Sequence, residues 1–144
     1  MKSKLLDNRG EKTFAVILDT GDEVVRGLRA VAKENGLGGS HFTAIGAFAD
    51  VTLGYFDWQK KEYKKIPINE QVEVLSLIGD VAWKENGEPE VHAHVVLGRS
   101  DGTTLGGHLM EAHVRPTLEV VIVESPEHLR RKYDPEVKLG LIRP

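Results

Sequence analysis

Val91-His92-Ala93-His94-Val95-Val96-Leu97 sets two imidazoles one residue apart in an apolar run, and Gly106-Gly107-His108 supplies a third soon afterwards. Successive side chains of a strand alternate faces, so His92 and His94 project from one face about two strand rises apart, roughly 6.6–6.8 Å. Both can reach one ion. The turn residues Gly98-Arg99-Ser100-Asp101-Gly102 would return His108 on the next strand, completing the three-histidine set of an open zinc site. The chain has no cysteine, which removes thiol catalysis, disulfides and thiolate ligands and leaves imidazole and carboxylate as the strong metal-binding side chains. Zinc is the expected ion, because neutral imidazole suits it.

A zinc ion with an open position can polarise a carbonyl, but chemistry also needs a proton-transfer partner within hydrogen-bond reach. By position the candidates are Glu111, on the strand after His108, and Glu73, on the Val72 to Leu77 strand. Period two turns Glu111 away from His108, which favours a surface role. Arg115 could bind a carboxylate substrate or make a subunit contact. His113 is an odd number of residues from His108, so a regular strand sends it to the opposite face unless a bulge shifts the register. His41 and His128 fall outside the constellation and read as surface or hydrogen-bonding residues, and Asp101 reads as a turn former.

These residues need a scaffold. Lys12 to Leu18 alternates as a strand and ends at Asp19-Thr20-Gly21. Val24, Val25, Leu28, Val31 and Ala32 then recur at helical spacing, with Asp22 as the N-cap or first-turn acid and Asn35-Gly36 as the stop. Six further apolar runs predict strands: His41 to Phe48, Val51 to Phe56, Val72 to Trp83, Val91 to Leu97, Thr103 to His113 and Leu118 to Val123. The class is therefore α+β, a mixed, largely antiparallel sheet with one main amphipathic helix. Gly106-Gly107 inside a strand predicts a bulge or a close approach of backbone or ligand. Lys60, Lys61, Lys64 and Lys65 around Tyr63 predict a hairpin tip, and Arg130-Arg131-Lys132 reads as solvated surface. Phe56 and Trp58, at alternate positions, are expected in the core or an interface.

At 144 residues the chain fits one domain, 1–144, with a core over about 12–124 and a C-terminal extension over 125–144. Its 19 Lys+Arg against 22 Asp+Glu, a formal charge of -3, give no global attraction to phosphate backbones or anionic lipid. No apolar run approaches the ~20 residues of a membrane span, and the first residues reach charge before any stretch of signal-peptide length, so a cytoplasmic protein is expected.

Several segments, in order, resemble the plant- and prokaryote-conserved (PPC) domain family, whose bacterial members often carry a DNA-binding label. They include Gly21-Asp22-Glu23-Val24-Val25, Phe42-Thr43-Ala44-Ile45-Gly46-Ala47, Val51-Thr52-Leu53-Gly54-Tyr55-Phe56-Asp57, Glu73 to Gly79, Val91 to Gly98 and Gly106-Gly107-His108-Leu109. The resemblance implies a homotrimer in which the histidines matching His92, His94 and His108 hold zinc in some prokaryotic members. It also implies a fold similar to that of acetolactate decarboxylase, a three-histidine zinc enzyme. The plant members read DNA through an attached AT-hook with an Arg-Gly-Arg-Pro core, which this sequence lacks, so direct DNA binding is expected to be weak or absent. Two function classes follow: a trimeric binding and assembly module with protein partners or a small ligand, and a metal-dependent lyase or hydrolase acting on a small oxo-acid.

Overall fold

The computed structural model describes residues 1–8, 10–126 and 128–143. Its elements are β1 (Lys2–Asn8), β2 (Lys12–Asp19), α1 (Val24–Asn35), β3 (Gly39–Asp57), β4 (Glu62–Ile68), β5 (Val72–Trp83), β6 (Pro89–Gly98), β7 (Thr104–Glu124), β8 (Arg131–Asp134) and β9 (Leu139–Ile142). Among the described residues all named strand pairs are antiparallel: β1-β2-β7-β6-β5-β3-β4 form one sheet, which an additional β7–β3 pairing closes on itself, and β8-β9 form a second. The α+β class expected from the sequence is what forms. Among the described residues no helix is long and apolar enough to cross a membrane.

Two pairs of expected strands are single strands. His41 to Phe48 and Val51 to Phe56 run together in β3, because no Gly or Pro separates them and bulges near Phe48 absorb the change in register. Thr103 to His113 and Leu118 to Val123 run together in β7. Here Pro116, which cannot donate to a ladder, sits where Val114 pairs with Phe48 but Leu118 pairs with Gly46. Gly46 has φ 151°, and a Cβ there would run into the Thr117 carbonyl, so the bulge requires glycine. The strands β1, β8 and β9 have no counterpart among the expected strands, and the basic segment around Tyr63 forms the edge strand β4 as well as a hairpin tip.

Helix α1 buries Val24, Leu28, Val31 and Ala32 against β6 and β7. Its N-cap is Glu23, not Asp22: Glu23 has extended backbone and accepts from the N–H groups of Val25 and Arg26 at 3.0 and 2.7 Å. Asp22 instead accepts from Asp19 N–H across the preceding turn. The helix stops at Gly36 in the left-handed conformation, as expected. One apolar cluster, including Phe14, Val16, Leu18, Phe42, Leu77, Val95, Leu97, Leu118 and Ile122, fills the inner side of the sheet. By alternation, His92, His94 and His108 face outward.

Candidate metal centre

The β6–β7 hairpin does most of the positioning. His94 and His108 are direct cross-strand partners, and the turn is closed by Arg99 N–H on the Thr103 carbonyl and by Thr103 N–H on Asp101 Oδ1, both at 2.9 Å. His92 stands two residues from His94 on the same face. Ring centroids are 5.1 Å apart for His92–His94 and His92–His108 and 5.5 Å for His94–His108. One nitrogen from each ring lies within 4.8 Å of the others. Gly106 and Gly107 make the close approaches their position suggested: a Cβ at either would press on the Val95 or Gly54 carbonyl.

His108 is half-buried, with its ring stacked on Tyr63 of β4 at 4.7 Å and 28°. Burial, reinforced by Arg131 and by the charge that the His92 and His94 rings carry when protonated, lowers its pKa to about 4. Burial and His92 also lower that of His94. Both rings are thus held neutral at physiological pH, the form that ligates metal. The buried His108 Nδ1 has no hydrogen-bond partner, which fits a ligand atom better than a structural one.

Asp80, the β5 partner of His92, places Oδ2 3.5 Å from His92 Nδ1 while its Oδ1 accepts from Arg131 Nη2. Partial burial pushes the Asp80 carboxyl up, but the bonds and charges of His92 and Arg131 outweigh it and hold the carboxyl below its usual range. Arg131 corrects an expectation. The sequence predicts a solvated surface for Arg130-Arg131-Lys132, but Arg131 is only 7% exposed, because the β8–β9 hairpin folds it toward β5. A cavity of about 190 Å³ opens beside the triad, lined by Tyr63, Glu90, His92, His108, Arg131 and Leu141.

The remaining candidates lie elsewhere. Glu111 is exposed and pairs with Thr52; Glu73 is exposed and pairs with Gly98, toward the other end of β5 from Asp80; Arg115 is exposed beside Pro116. Among the described residues, none of them joins the cluster of donor atoms. His113 turns to the side of the sheet that carries His108, because a bulge at Met110 lets Leu109 and Ala112 both point inward. It bonds Asp50 Oδ1 at 2.8 Å rather than joining the triad. His41 is exposed and in register with Asp80, and His128 lies 3.4 Å from Glu124. Trp58 is exposed in the single chain, with Lys61 Nζ 3.1 Å over its ring.

Sequence reasoning missed Tyr63, Asp80 and Arg131. An aspartate inside the apolar run Val72 to Trp83 was a usable signal for Asp80. Nothing local pointed to the other two, whose place depends on distant pairing.

Comparison with known proteins agrees with this architecture. The structure superposes on a metal-containing protein of Archaeoglobus fulgidus with TM-score 0.86, at 37% identity, covering 98% of this chain and 99% of that one. A plant- and prokaryote-conserved protein of Pyrococcus horikoshii matches with TM-score 0.86 at 34% identity, covering 99% and 95%. A Bacteroides thetaiotaomicron protein provisionally described as DNA-binding matches with TM-score 0.86 at 28% identity, covering 98% and 96%. A curated relative, the bifunctional protein GlmU of a Synechococcus strain, is 28% identical over 128 residues, and the match spans only 19% of that protein's length. Residues 7–126 match the Plants and Prokaryotes Conserved (PCC) domain, and the chain therefore belongs to that family.

Proposed function

We propose that this chain is a homotrimeric binding and assembly module whose His92, His94 and His108 hold a zinc ion, linked to transcription through protein partners. One observation carries the metal site: three imidazoles from two adjacent strands offer donor atoms within 4.8 Å of one another. The 37%-identical archaeal relative, itself a metal-containing protein, supports it. A zinc ion bound by three imidazoles keeps a coordination position open and acts as a Lewis acid there. The chain's own residues prepare the site. Burial keeps His108 neutral, Tyr63 covers its ring, and the Asp80 carboxylate lies beside His92.

The trimer is supported by the outer face of the sheet, where Ile45, Leu75, Ile78, Val96 and Val121 are all more than two-fifths exposed. A net charge of -3 argues against this domain gripping duplex DNA on its own.

The cavity beside His92 and His108 favours a second reading, a metal-dependent lyase or hydrolase for a small oxo-acid on an acetolactate decarboxylase-like fold. Turnover of small 2-oxo acids by zinc-loaded protein, lost in His94→Ala, would select it.

The metal site is tested by elemental analysis after zinc loading at neutral pH and removal of free metal. Bound zinc is expected in the wild type and a strong loss in His94→Ala. Wild-type protein that retains no transition metal overturns the reading.

A further inference from the structure

Asp80 and Arg131 are charged groups at the metal centre that no ligand role explains. Asp80 sits on β5, directly across from His92. Asp80 Oδ2 lies 3.5 Å from His92 Nδ1, and because a carboxylate can only accept, its charge favours the proton on Nδ1 and leaves the Nε2 lone pair for an ion. The other Asp80 oxygen is taken by Arg131 Nη2, and Arg131 Nη1 donates to the Gly140 carbonyl at 3.0 Å. A chain of contacts thus runs from the β8–β9 hairpin through the guanidinium and the carboxylate to one ring of the triad.

Arg131 also lines the 190 Å³ cavity, and its buried Nε has no hydrogen-bond partner. That would suit an anchor for an anionic ligand if the guanidinium were otherwise unpaired. It is not: Asp80 is in contact and Glu90 Oε2 lies 3.8 Å from Nε. Two carboxylates already flank this one cation, so its charge is committed to them. Arg131 is better placed to hold Asp80 than to receive a ligand.

We propose that Asp80 and Arg131 are positioning residues of the metal centre, Arg131 fixing Asp80 and Asp80 fixing the tautomer and orientation of His92, so that the C-terminal hairpin is part of the site. This rests on His92, His94 and His108 being the metal ligands. Partners of this kind commonly contribute about 10–100-fold to metal affinity.

The test is a cobalt(II) titration of the full chain against a competing chelator, with the visible spectrum of the bound ion as a second readout. Asp80→Asn is the decisive variant. It preserves shape and leaves the Arg131–Gly140 bond in place, but its single amide oxygen can serve His92 or Arg131 and not both. The expected result is a loss of about 10–100-fold in affinity with an altered cobalt spectrum. Arg131→Met should weaken binding in the same direction, Arg131→Lys should restore part of the loss, and Arg131→Met in the Asp80→Asn background should add little further. Losses that simply add would mean that Arg131 acts through hairpin stability and would overturn its role. Wild-type affinity and spectrum in Asp80→Asn would overturn the proposal while leaving the metal site standing, whereas a wild type that takes up no cobalt would remove the site itself.

Discussion

His113 and His108 face the same side of the sheet, yet their surroundings drive them in opposite directions. His108 is half-buried against Tyr63 and loses its proton readily. His113 is solvent-facing, and the hydrogen bond to Asp50, aided by the charges of Asp50, Glu111 and Glu23, raises its pKa above the usual 6.5. For a group whose folded pKa is raised, the stabilisation is complete below the unfolded value near 6.5 and is lost as pH rises through the folded value. The His113–Asp50 pair should therefore support the fold in mild acid and contribute nothing in mild alkali. An NMR titration should place the His113 midpoint above 6.5, and Asp50→Asn should return it toward that value. A wild-type midpoint at or below 6.5 would contradict the role given to Asp50.

At the level of elements, the joint between α1 and β3 depends on a buried acid from the far end of β7. Glu124 accepts from the N–H groups of Gly38 and Gly39 at 3.0 and 3.2 Å and from the Ser40 hydroxyl. Replacing it with alanine strands those donors, at about 1–3 kcal/mol for each left unpaired. Urea denaturation should show that loss in Glu124→Ala and a smaller one in Glu124→Gln, which keeps one acceptor oxygen. An alanine variant within about 0.5 kcal/mol of wild type would rule out the tie as a significant support. Such links also explain what the sequence could and could not disclose. His92 and His94 were legible because period two is local, and His108 because its turn is short. The joining of two runs into β7 was hidden by Pro116, which ordinarily ends a strand but here occupies a bulge. Asp22 and Glu23 compete for one N-cap, and only backbone geometry separates them. Arg131 looked like surface because its burial needs β9 folded back beside it and the distant β5, 51 residues earlier, to receive it.

For the whole molecule, the telling asymmetry is between the two sides of the sheet. The inner side packs one continuous core beneath α1, whereas the outer side leaves Ile45 and Ile78 61% and 57% exposed. Large side chains from β3, β5, β6 and β7 form a patch that water solvates poorly, and closure around a threefold axis would bury it. Light scattering should give three times the 16.0 kDa chain mass at micromolar concentration. Ile45→Asp, which puts a charge into that patch without touching the core, should shift the population to monomer. A wild-type mass equal to that of a single chain would exclude the trimer.

The closed β3–β7 ladder also governs the order in which the molecule can assemble. Ser40 and Glu124 meet across it although they are 84 residues apart, so the ring cannot close until most of the chain has been gathered, and such distant pairing slows folding. The three imidazoles lie on one hairpin, where His94 and His108 face each other across a short turn. Their meeting needs little search. Zinc bound as proposed would therefore find its donors while the sheet is still open, and would hold β6 to β7 as a ready edge for β5 and β3 to join. Zinc supply would then set how fast the chain becomes native, as well as how firmly it stays so.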